Sequence, residues 1–328
     1  MSSGAVDIRE LGADQLPQLE EDSAGRIAAR SPLELFWRRL RDDKVALTAA
    51  GFIVFLILLA ILAPLIIKLV GTTGPNDQNP KVLDSFGTPT GPSGNHIFGV
   101  DPLGRDVFAR VLYGARVSLE VALVATAISV AIGVTVGMIA GYYRGWIDTA
   151  LSRLVDVLLA FPILLLGIGL ASACSLGHGC LGGLVKPGLT VVIFVIAFVN
   201  WTYIGRIIRG QVLSLREKEF VEAARSLGAS NTRILFREIL PNLVAPIIVY
   251  STLIIPQNIL FEAALSFLGV GIQPPNASWG QMLADATSIF DTAWWYMLFP
   301  GAALLLTVLA FNLLGDGLHD ALNPRVGK

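Results

Sequence analysis

The sequence contains little charge and almost no cysteine or histidine. Of its 328 residues, 15% are Asp, Glu, Lys or Arg, two are cysteine and three are histidine. Soluble domains carry about 25% charged residues, so much of the usual solvated surface is missing here. Two cysteines cannot build a disulfide framework or a cysteine-rich metal module in a chain of this length. The composition therefore excludes a small disulfide-built scaffold and favours a membrane protein.

Two features of energy-converting proteins are also missing. No phosphate-binding loop of the form GxxxxGK[ST] occurs, so we do not expect the chain to hydrolyse nucleotide or to be an enzyme. No ionisable residue lies near the middle of any long apolar segment. Transporters driven by protons or sodium place such groups at that depth, where they bind the coupling ion. If this chain moves solute uphill, a partner must supply the energy.

Long apolar segments make up most of the chain. A helix needs about 20 residues to cross a bilayer. Six segments are long enough, and they comprise residues 45–70, 119–142, 154–173, 188–205, 241–261 and 295–315. The predicted fold is therefore all-α: a polytopic membrane protein with six transmembrane helices.

The distribution of basic residues predicts the orientation of this bundle. With the amino terminus in the cytoplasm, 18 of the 24 Lys and Arg residues lie on the cytoplasmic side and 6 on the other. Short cytoplasmic loops are enriched in Lys and Arg. We therefore expect both termini, and the loop 206–240, to be cytoplasmic.

The chain divides around these segments. Residues 1–30 are acidic and lack apolar periodicity, which predicts a disordered cytoplasmic tail. Residues 31–44 are expected to form an amphipathic helix along the membrane surface. The first transmembrane helix and an external loop occupy residues 45–118. A core of membrane helices with the loop 206–240 occupies 119–316, and a cytoplasmic tail occupies 317–328.

The loop 206–240 has the strongest functional signal. Residues 220–227 are expected to form a helix, which Gly228 can end in the left-handed conformation. Ser230 or Asn231 can cap a second helix that enters the fifth span. Such a rigid helix-turn-helix can transmit a push from a docked partner into the bundle. The alternative is a surface hairpin that merely connects two spans.

Two pairs of residues are further candidates. Gln257 and Asn258, in the fifth span, either line a pathway or hydrogen-bond to a neighbouring helix, and we prefer the second interpretation. Cys174 and Cys180 lie in a predicted external loop, where the oxidising side permits a disulfide without requiring one. With His178 they fall short of a zinc-ligand set, so no metal site is predicted.

Charged residues flank the second span. Arg105, Asp106, Arg110 and Arg116 are expected to line the polar face of an external interfacial helix, and contact with an external partner protein is the alternative. On the other side of this span, Asp148 and Arg153 are expected to form a local ion pair at the membrane interface.

Several separated motifs resemble one transporter family. The sequence EAARSLG at 222–228, followed by Leu240-Pro241, resembles the EAA loop of ABC importer permeases, although Glu238 stands where the general pattern has an apolar residue. Further matching motifs are HIFGVDPLGRDV at 96–107, YGARVSL at 113–119, AGYYRGWID at 140–148, LSFLGVGIQPP at 265–275 and FNLLGDGL at 311–318. From about residue 31 to 325, the chain resembles the C-type permease subunit of dipeptide, oligopeptide and nickel importers.

This resemblance implies a type I ABC importer permease fold, with 119–316 as the core permease domain. It implies that the EAA loop couples the chain to an ATPase, and the implied coupling residues are Glu222, Ala223, Ala224, Gly228, Leu240 and Pro241. No catalytic residue and no cofactor of its own are implied, because ATP and Mg bind to the partner subunits. The implied partners are a paralogous permease in a heterodimer, two ATP-binding subunits and an external solute-binding protein, with no nucleic acid.

The predicted function is import of di- or oligopeptides across a bacterial cytoplasmic (inner) membrane by alternating access. Import of nickel or of another small solute is the alternative within the family. Outside it, a secondary transporter or channel would need no ATPase, and a membrane scaffold or receptor would carry no flux. Copurification of an ATPase and solute flux after reconstitution separate these alternatives.

Overall fold

The computed structural model describes residues 32–176 and 179–322 of the chain. The helices in these two ranges are α1 (Pro32–Asp42), α2 (Lys44–Val70), α3 (Val107–Tyr143), α4 (Gly145–Ala160), α5 (Ile163–Ser175), α6 (Leu189–Leu215), α7 (Glu219–Ser226), α8 (Asn231–Phe267), α9 (Trp279–Ala286) and α10 (Trp294–Leu322). Within the same ranges, extended pairing is limited to two isolated bridges, so the predicted all-α fold is confirmed. The predicted acidic tail 1–30 and the last residues of the carboxy-terminal tail lie outside the described residues.

Five of the described helices are long and apolar enough to cross a membrane, namely α2, α3, α6, α8 and α10. The predicted third span, residues 154–173, is not one straight helix. Instead, α4 and α5 meet at an angle of 90° around Phe161 and Pro162. Proline disfavours helical geometry in the preceding residue, and Phe161 is extended, with φ −82° and ψ 139°. The six predicted spans are therefore five continuous helices and one bent pair.

The structure also extends four of the predicted spans. The fifth ends at Phe267 rather than at residue 261, and the sixth ends at Leu322 rather than at residue 315, so the predicted tail 317–328 begins inside α10. The second membrane helix begins at Val107 rather than at residue 119, so the predicted external interfacial helix is the start of α3. Both ends of the predicted loop 206–240 are helical. The fourth membrane helix, α6, continues to Leu215, and the fifth, α8, begins at Asn231. Most of this loop is therefore helix continuous with the spans.

The termini of the long helices gather at two ends of the bundle. One end holds the carboxyl ends of α3, α6 and α10 and the amino ends of α2 and α8. We call it the basic end, because exposed arginines such as Arg144, Arg206 and Arg233 lie there. The opposite end of the bundle, which holds the other termini of these helices, is called the far end. Three contacts at the basic end show this arrangement: Gly141 with Val212, Ala46 with Gly317, and Tyr142 with Asn231.

Capping residues fix the helix ends. The carboxylate of Asp43 accepts hydrogen bonds from the first amides of α2, and Asp106 accepts one from Ala109 at the start of α3 at 2.9 Å. Ser230 and Ser278 cap α8 and α9 in the same way. Each side chain satisfies an amide that the first helical turn leaves unpaired. The carboxyl end of α2 is closed by Gly71 at φ 75°.

Helices α3 and α6 pack closely along a row of glycines. A Cβ atom at Gly137 would lie 2.7 Å from the carbonyl oxygen of Gly205, and one at Gly133 would lie 2.8 Å from that of Trp201. The spacing of Gly133, Gly137 and Gly141 predicts this close backbone approach. Small residues here bring the two backbones together, so α3 and α6 form the centre of the bundle.

Gly137→Ala is expected to lower the thermal stability of the purified protein. The added methyl group would overlap backbone atoms of α6, and overpacking of this kind costs about 1–3 kcal/mol. Gly210→Ala on α6 is the matched control, because a Cβ there meets no atom within 4 Å. Thermal unfolding in detergent compares the two variants. Equal melting temperatures would contradict the packing described here.

Helix α1 packs on the basic end of α10. Phe36 and Leu40 contact Leu318 and Ala321, while Trp37 is exposed. The amphipathic helix predicted for residues 31–44 therefore exists as Pro32–Asp42, with its apolar face turned toward the last membrane helix. Its position along the membrane surface stays a prediction.

At the far end, Cys174 and Cys180 form a disulfide, with their Cα atoms 4.8 Å apart. The bond closes the short segment that follows α5. Cys174 is buried in a cluster with Val185, Val191 and Leu265. The sequence left this pairing open, and the structure joins the two cysteines.

Candidate functional site

The segment between α6 and α8 forms a short helix that is closed by a glycine. Helix α7 has acidic residues in its first turn, where they complement the helix dipole. At its end Gly228 has φ 78°. The amide of Gly228 donates to the carbonyl of Arg225, and that of Ala229 donates to the carbonyl of Ala224, both at 3.0 Å. This is the Schellman arrangement, which needs the left-handed conformation that glycine adopts without strain.

One face of α7 is anchored in the bundle. Val221 is fully buried and belongs to a cluster with Ile234, Ile239 and Val212, which come from α6 and α8. The opposite face is exposed. Ala223 lies about 200° around the helix from Val221, since each residue turns the helix by about 100°. Helix α7 therefore packs on the bundle through Val221 and exposes the opposite face, where the small side chain of Ala223 lies.

Further apolar side chains are exposed on α7, after its end and on the first turns of α8. Leu227 is 88% exposed and Phe236 is 59% exposed, while Phe220 is partly covered. Isolated exposed apolar residues are ordinary on proteins, but a group beside a small-residue face is typical of a protein interaction site. We call the exposed face formed by Phe220, Glu222, Ala223, Leu227 and Phe236 the α7 surface.

The turn after α7 leads directly into α8. Ser230 is the capping residue, and Asn231 has a different role: its side-chain oxygen accepts a hydrogen bond from the Tyr142 hydroxyl at 2.8 Å. This bond ties the beginning of α8 to the end of α3. Ser230 and Asn231, which the sequence predicted as alternative caps, therefore both stabilise the start of α8.

A π-helical turn follows at Ile234–Ile239. Here the amide of Leu240 donates to the carbonyl of Leu235, five residues back. Pro241 has no amide hydrogen, and in a regular helix its ring would crowd the carbonyl of Arg237. The wider turn accommodates the proline without ending the helix. Leu240 and Pro241 therefore shape the start of α8 and do not belong to the α7 surface.

Ion pairs brace the basic end. Arg209 donates to both oxygens of Asp148, at 2.5 and 2.9 Å, and Arg206 donates to Asp156 at 2.6 Å. The predicted pair of Asp148 with Arg153 is wrong, because Arg153 faces Asp156 one turn along α4. Asp148 instead joins α4 to α6. The sequence could not show this because the partners are 61 residues apart.

Two further arginines hold the segment that carries α7. Arg144 and Glu217 form an ion pair, and Arg216 donates to the carbonyl oxygens of Gly141 and Tyr142 at the end of α3. Burial, together with the nearby charges of Arg144 and Arg225, lowers the pKa of the Arg216 guanidinium. The stretch between α6 and α7 is therefore fixed to the end of α3.

A cavity of about 360 Å³ lies between α3, α4 and α6 at the basic end. Its charged lining residues are Asp148, Arg153, Asp156, Arg206 and Arg209. The ion pairs that join α4 to α6 lie along this cavity.

Asp148→Asn is expected to destabilise the protein more than Asp156→Asn. The side chains of Asp148 and Arg209 are 17% and 34% exposed, whereas those of Asp156 and Arg206 are 50% and 55% exposed. With solvent screening included, we expect losses of about 1 kcal/mol for the first pair and about 0.3 kcal/mol for the second. Thermal unfolding, combined with a double-mutant cycle through Arg209→Gln and Arg206→Gln, measures both. A coupling energy that is equal for the two pairs would contradict this ranking.

The two polar candidates in the fifth span differ in their surroundings. Asn258 is fully buried, donates to the hydroxyl of Thr126 at 2.7 Å, and accepts from the Asn200 amide. It thereby links α8 to α3 and α6, as the preferred interpretation predicts. Gln257 is exposed on the same helix. Of these two residues, Gln257 is therefore the one whose side chain could line a pathway.

The charged residues around the start of α3 are mostly buried. Arg110 and Asp106 are fully buried, and Arg105 is paired with Asp101 at 2.6 Å. The predicted polar face of an interfacial helix is therefore wrong for Arg105, Asp106 and Arg110, whereas Arg116 is exposed on α3. His96 also contacts Asp106, at 2.8 Å. Their amphipathic spacing reflects a polar core at the far end, which sequence periodicity cannot distinguish from a membrane-surface face.

Sequence reasoning also missed Glu262. This residue follows the predicted fifth span immediately, lies inside α8, and is fully buried. An acidic residue in the otherwise apolar stretch LFEAALSFLG at 260–269 was the available signal.

Comparisons with known proteins agree with this arrangement. The family described as "Binding-protein-dependent transport system inner membrane component" matches residues 133–328, and "N-terminal TM domain of oligopeptide transport permease C" matches residues 31–85. The dipeptide transport system permease protein DppC of Alkalihalophilus pseudofirmus is 42% identical over 299 residues, which cover 91% of each chain. The glutathione transport system permease protein GsiD of Escherichia coli O157:H7 is 44% identical over 318 residues, which cover 97% of each chain.

Solved structures show the same fold at lower identity. A chain of the MetNI methionine ABC transporter in inward-facing conformations aligns with a TM-score of 0.54 and 18% identity, covering 65% of this chain and 96% of that one. A chain of an amino acid ABC transporter with histidines aligns with a TM-score of 0.50, covering 65% and 94%.

Proposed function

The chain belongs to the binding-protein-dependent transport system inner membrane components, and from this premise we propose that it forms half of an importer for di- and oligopeptides. As a member of this family it is a multi-span permease subunit of an ABC importer in the inner membrane, and it works with ATP-hydrolysing and solute-binding partners. ATP hydrolysis belongs to those partners. The solute, the docking residues, the orientation and the composition of the complex are the proposed parts.

The α7 surface carries the proposal for docking. It is exposed, it is anchored through Val221, and it adjoins α8, which runs unbroken from Asn231 to Phe267. An ATP-binding subunit that grips this surface can move α8 as a rod. Glu222, Ala223 and Ala224 then form or support the contact, Gly228 gives the turn its shape, and Leu240 and Pro241 set the start of the rod. ATP and Mg bind between the two partner ATPase subunits.

The proposed cycle is alternating access. Nucleotide binding closes the ATPase subunits, pulls the α7 surface and opens the far end to the delivered solute. Hydrolysis and product release then open the basic end. A paralogous permease supplies the other half of the pathway, and Gln257 is the residue of this chain that we place nearest to it.

The basic end is proposed to face the cytoplasm. The exposed or partly exposed basic residues at this end include Arg144, Arg206, Arg209, Arg225, Arg233 and Arg237. This concentration of basic residues supports a cytoplasmic position for α7 and for both termini. The far end, with its disulfide, then faces the oxidising side.

Two relatives support peptides as the solute. One is a dipeptide permease and the other a glutathione permease, and each aligns over nearly its whole length. Nickel or another small solute remains the second candidate, because the resemblance identified from the sequence includes nickel importers.

Reconstitution of the whole importer in lipid vesicles tests this proposal. We expect ATP-dependent uptake of dialanine or glutathione that requires the solute-binding protein. A matched preparation with a hydrolysis-deficient ATPase subunit should show no uptake. Uptake of Ni²⁺ with no peptide uptake would favour the second candidate. Peptide flux without any ATPase subunit would contradict the proposed mechanism.

A further inference from the structure

Glu262 is a buried carboxyl whose surroundings consist of hydroxyl groups. It lies near the far end of α8 and is fully buried. One carboxyl oxygen accepts a hydrogen bond from the Ser118 hydroxyl of α3 at 2.9 Å, and the other accepts one from Ser266 at 2.7 Å. The Ser278 hydroxyl also approaches it. In the described part of the chain Glu262 forms no ion pair, so hydroxyl donors alone satisfy a group that is costly to bury.

The hydrogen bonds continue from Glu262 into the loop that follows α8. The Ser266 hydroxyl accepts a hydrogen bond from the amide of Ile272 at 3.0 Å, and Ile272 is itself fully buried. The loop lies directly against the helix: a Cβ atom at Gly271 would stand 2.3 Å from the Ser266 amide nitrogen. Glu262 therefore orients Ser266, and Ser266 holds the loop.

Helix α9 is fastened at the same place. The indole of Trp279 is fully buried and donates to the carbonyl of Val111 on α3 at 3.1 Å. A Cβ at Gly280 would lie 2.5 Å from the carbonyl oxygen of Ala263, next to Glu262. Helices α3, α8 and α9 and the loop 268–278 thus meet around one carboxyl. We call Ser118, Glu262, Ser266, Ile272 and Trp279 the Glu262 joint.

The other end of the same helix carries the α7 surface. From Asn231 to Glu262, α8 rises by roughly 46 Å, at 1.5 Å for each of 31 residues. Helix α8 is continuous over this length, with Pro246 and Pro256 inside it, and we infer that a displacement at one end reaches the other. The Glu262 joint is the connection between this rod and the loop and helix at the far end.

We propose that Glu262 is the positioning residue that holds the loop 268–278 and α9 on α8, so that docking of the solute-binding protein at the far end stimulates ATP hydrolysis at the basic end. This inference rests on the proposed function, in which the two ends face opposite sides of the membrane. The carboxyl acts through its hydrogen bonds to Ser118 and Ser266 and does not touch the solute.

The ATPase activity of the complete importer in lipid nanodiscs tests the proposal. The basal rate is compared with the rate in the presence of the solute-binding protein loaded with dialanine or glutathione. Glu262→Ala is expected to leave the basal rate unchanged and to reduce the stimulation ratio at least about fivefold, the lower limit of typical allosteric coupling. Glu262→Gln should retain part of the stimulation, because its amide can accept from one serine and donate to the other.

Ser251→Ala is the matched control on the same helix. Its hydroxyl donates only to the carbonyl of Ile247, one turn back within α8, so both rates should remain at wild-type values. Ser118→Ala removes a single hydroxyl from the joint and should lower the stimulation ratio less than Glu262→Ala. It also tests the proposal if Glu262→Ala does not assemble.

Two results would overturn the proposal. The first is a wild-type basal rate with a wild-type stimulation ratio in Glu262→Ala, or in Ser118→Ala where that variant alone assembles; if hydrogen exchange in residues 268–278 increases in the same variant, the joint is merely structural. The second is an equal fall of basal and stimulated rates, which would indicate general damage. If the wild-type importer itself shows no stimulation, the proposed function fails, and that outcome is distinguishable from both.

Discussion

Gly228→Pro is expected to reduce solute uptake severely while leaving the protein in the membrane. Gly228 has φ 78° and its amide donates to Arg225, whereas proline requires φ near −65° and has no amide hydrogen. The substitution therefore breaks the turn after α7 in two ways. Uptake and the ATPase activity stimulated by the solute-binding protein should each fall at least about tenfold, within the usual range of coupling between sites. The amount of membrane-inserted protein should remain similar, since Gly228 is exposed and lies outside the spans.

Gly228→Asn is the matched control for this prediction. Asparagine enters the left-handed conformation more readily than other side chains, and a Cβ at this position meets no atom within 4 Å. It should therefore retain most of the uptake. Full uptake by Gly228→Pro would show that the turn is not needed for transmission and would remove the coupling role of α7.

Ala223→Arg is expected to prevent the ATP-binding subunit from associating. Ala223 lies opposite the buried Val221 and is exposed, so a large side chain leaves the fold intact but projects into the proposed contact. Losing a central interface contact costs about 2 kcal/mol or more in binding. Copurification of the ATP-binding subunit with the solubilised permease pair measures the effect.

Ala223→Ser provides the size control at the same position. Its small side chain should preserve copurification and uptake, and both variants should unfold at the wild-type temperature because neither changes a buried contact. Normal association of Ala223→Arg with the ATP-binding subunit would place the docking surface elsewhere on the chain.

Local features of the coupling segment follow from the sequence. Gly228 after a helical stretch predicts a left-handed turn, and Ser230 before the next helix predicts a cap, because both depend on neighbouring residues alone. The glycines of α3 predict close packing for a similar reason, since their spacing puts them on one face. Composition and length gave most of the spans.

Contacts between distant residues could not be predicted in this way. Asp148 had a neighbour in Arg153, but its partner is Arg209 on α6. Hydrophobicity made residues 154–173 a single predicted span, whereas the structure bends between α4 and α5 at Phe161 and Pro162. Hydropathy measures how apolar a segment is and does not indicate whether its helix is straight or bent.

The sequence did not predict the burial of charged residues at the far end. Arg110 and Glu262 are both fully buried, although a single sequence favours an exposed position for charged residues. Their burial depends on hydroxyl and carbonyl partners from other elements, such as Ser118 and the carbonyl of Pro75. Such partners become apparent only when the helices are assembled.

Site-specific crosslinking can show whether α7 docks on an ATP-binding subunit. With both native cysteines held in a disulfide, Ala223→Cys places a single free thiol on the α7 surface. In the assembled importer, this thiol is expected to crosslink to an ATP-binding subunit with a yield that changes with bound nucleotide, and to resist membrane-impermeant reagents added from outside. Crosslinking to the solute-binding protein, or labelling from outside in sealed vesicles, would contradict the account.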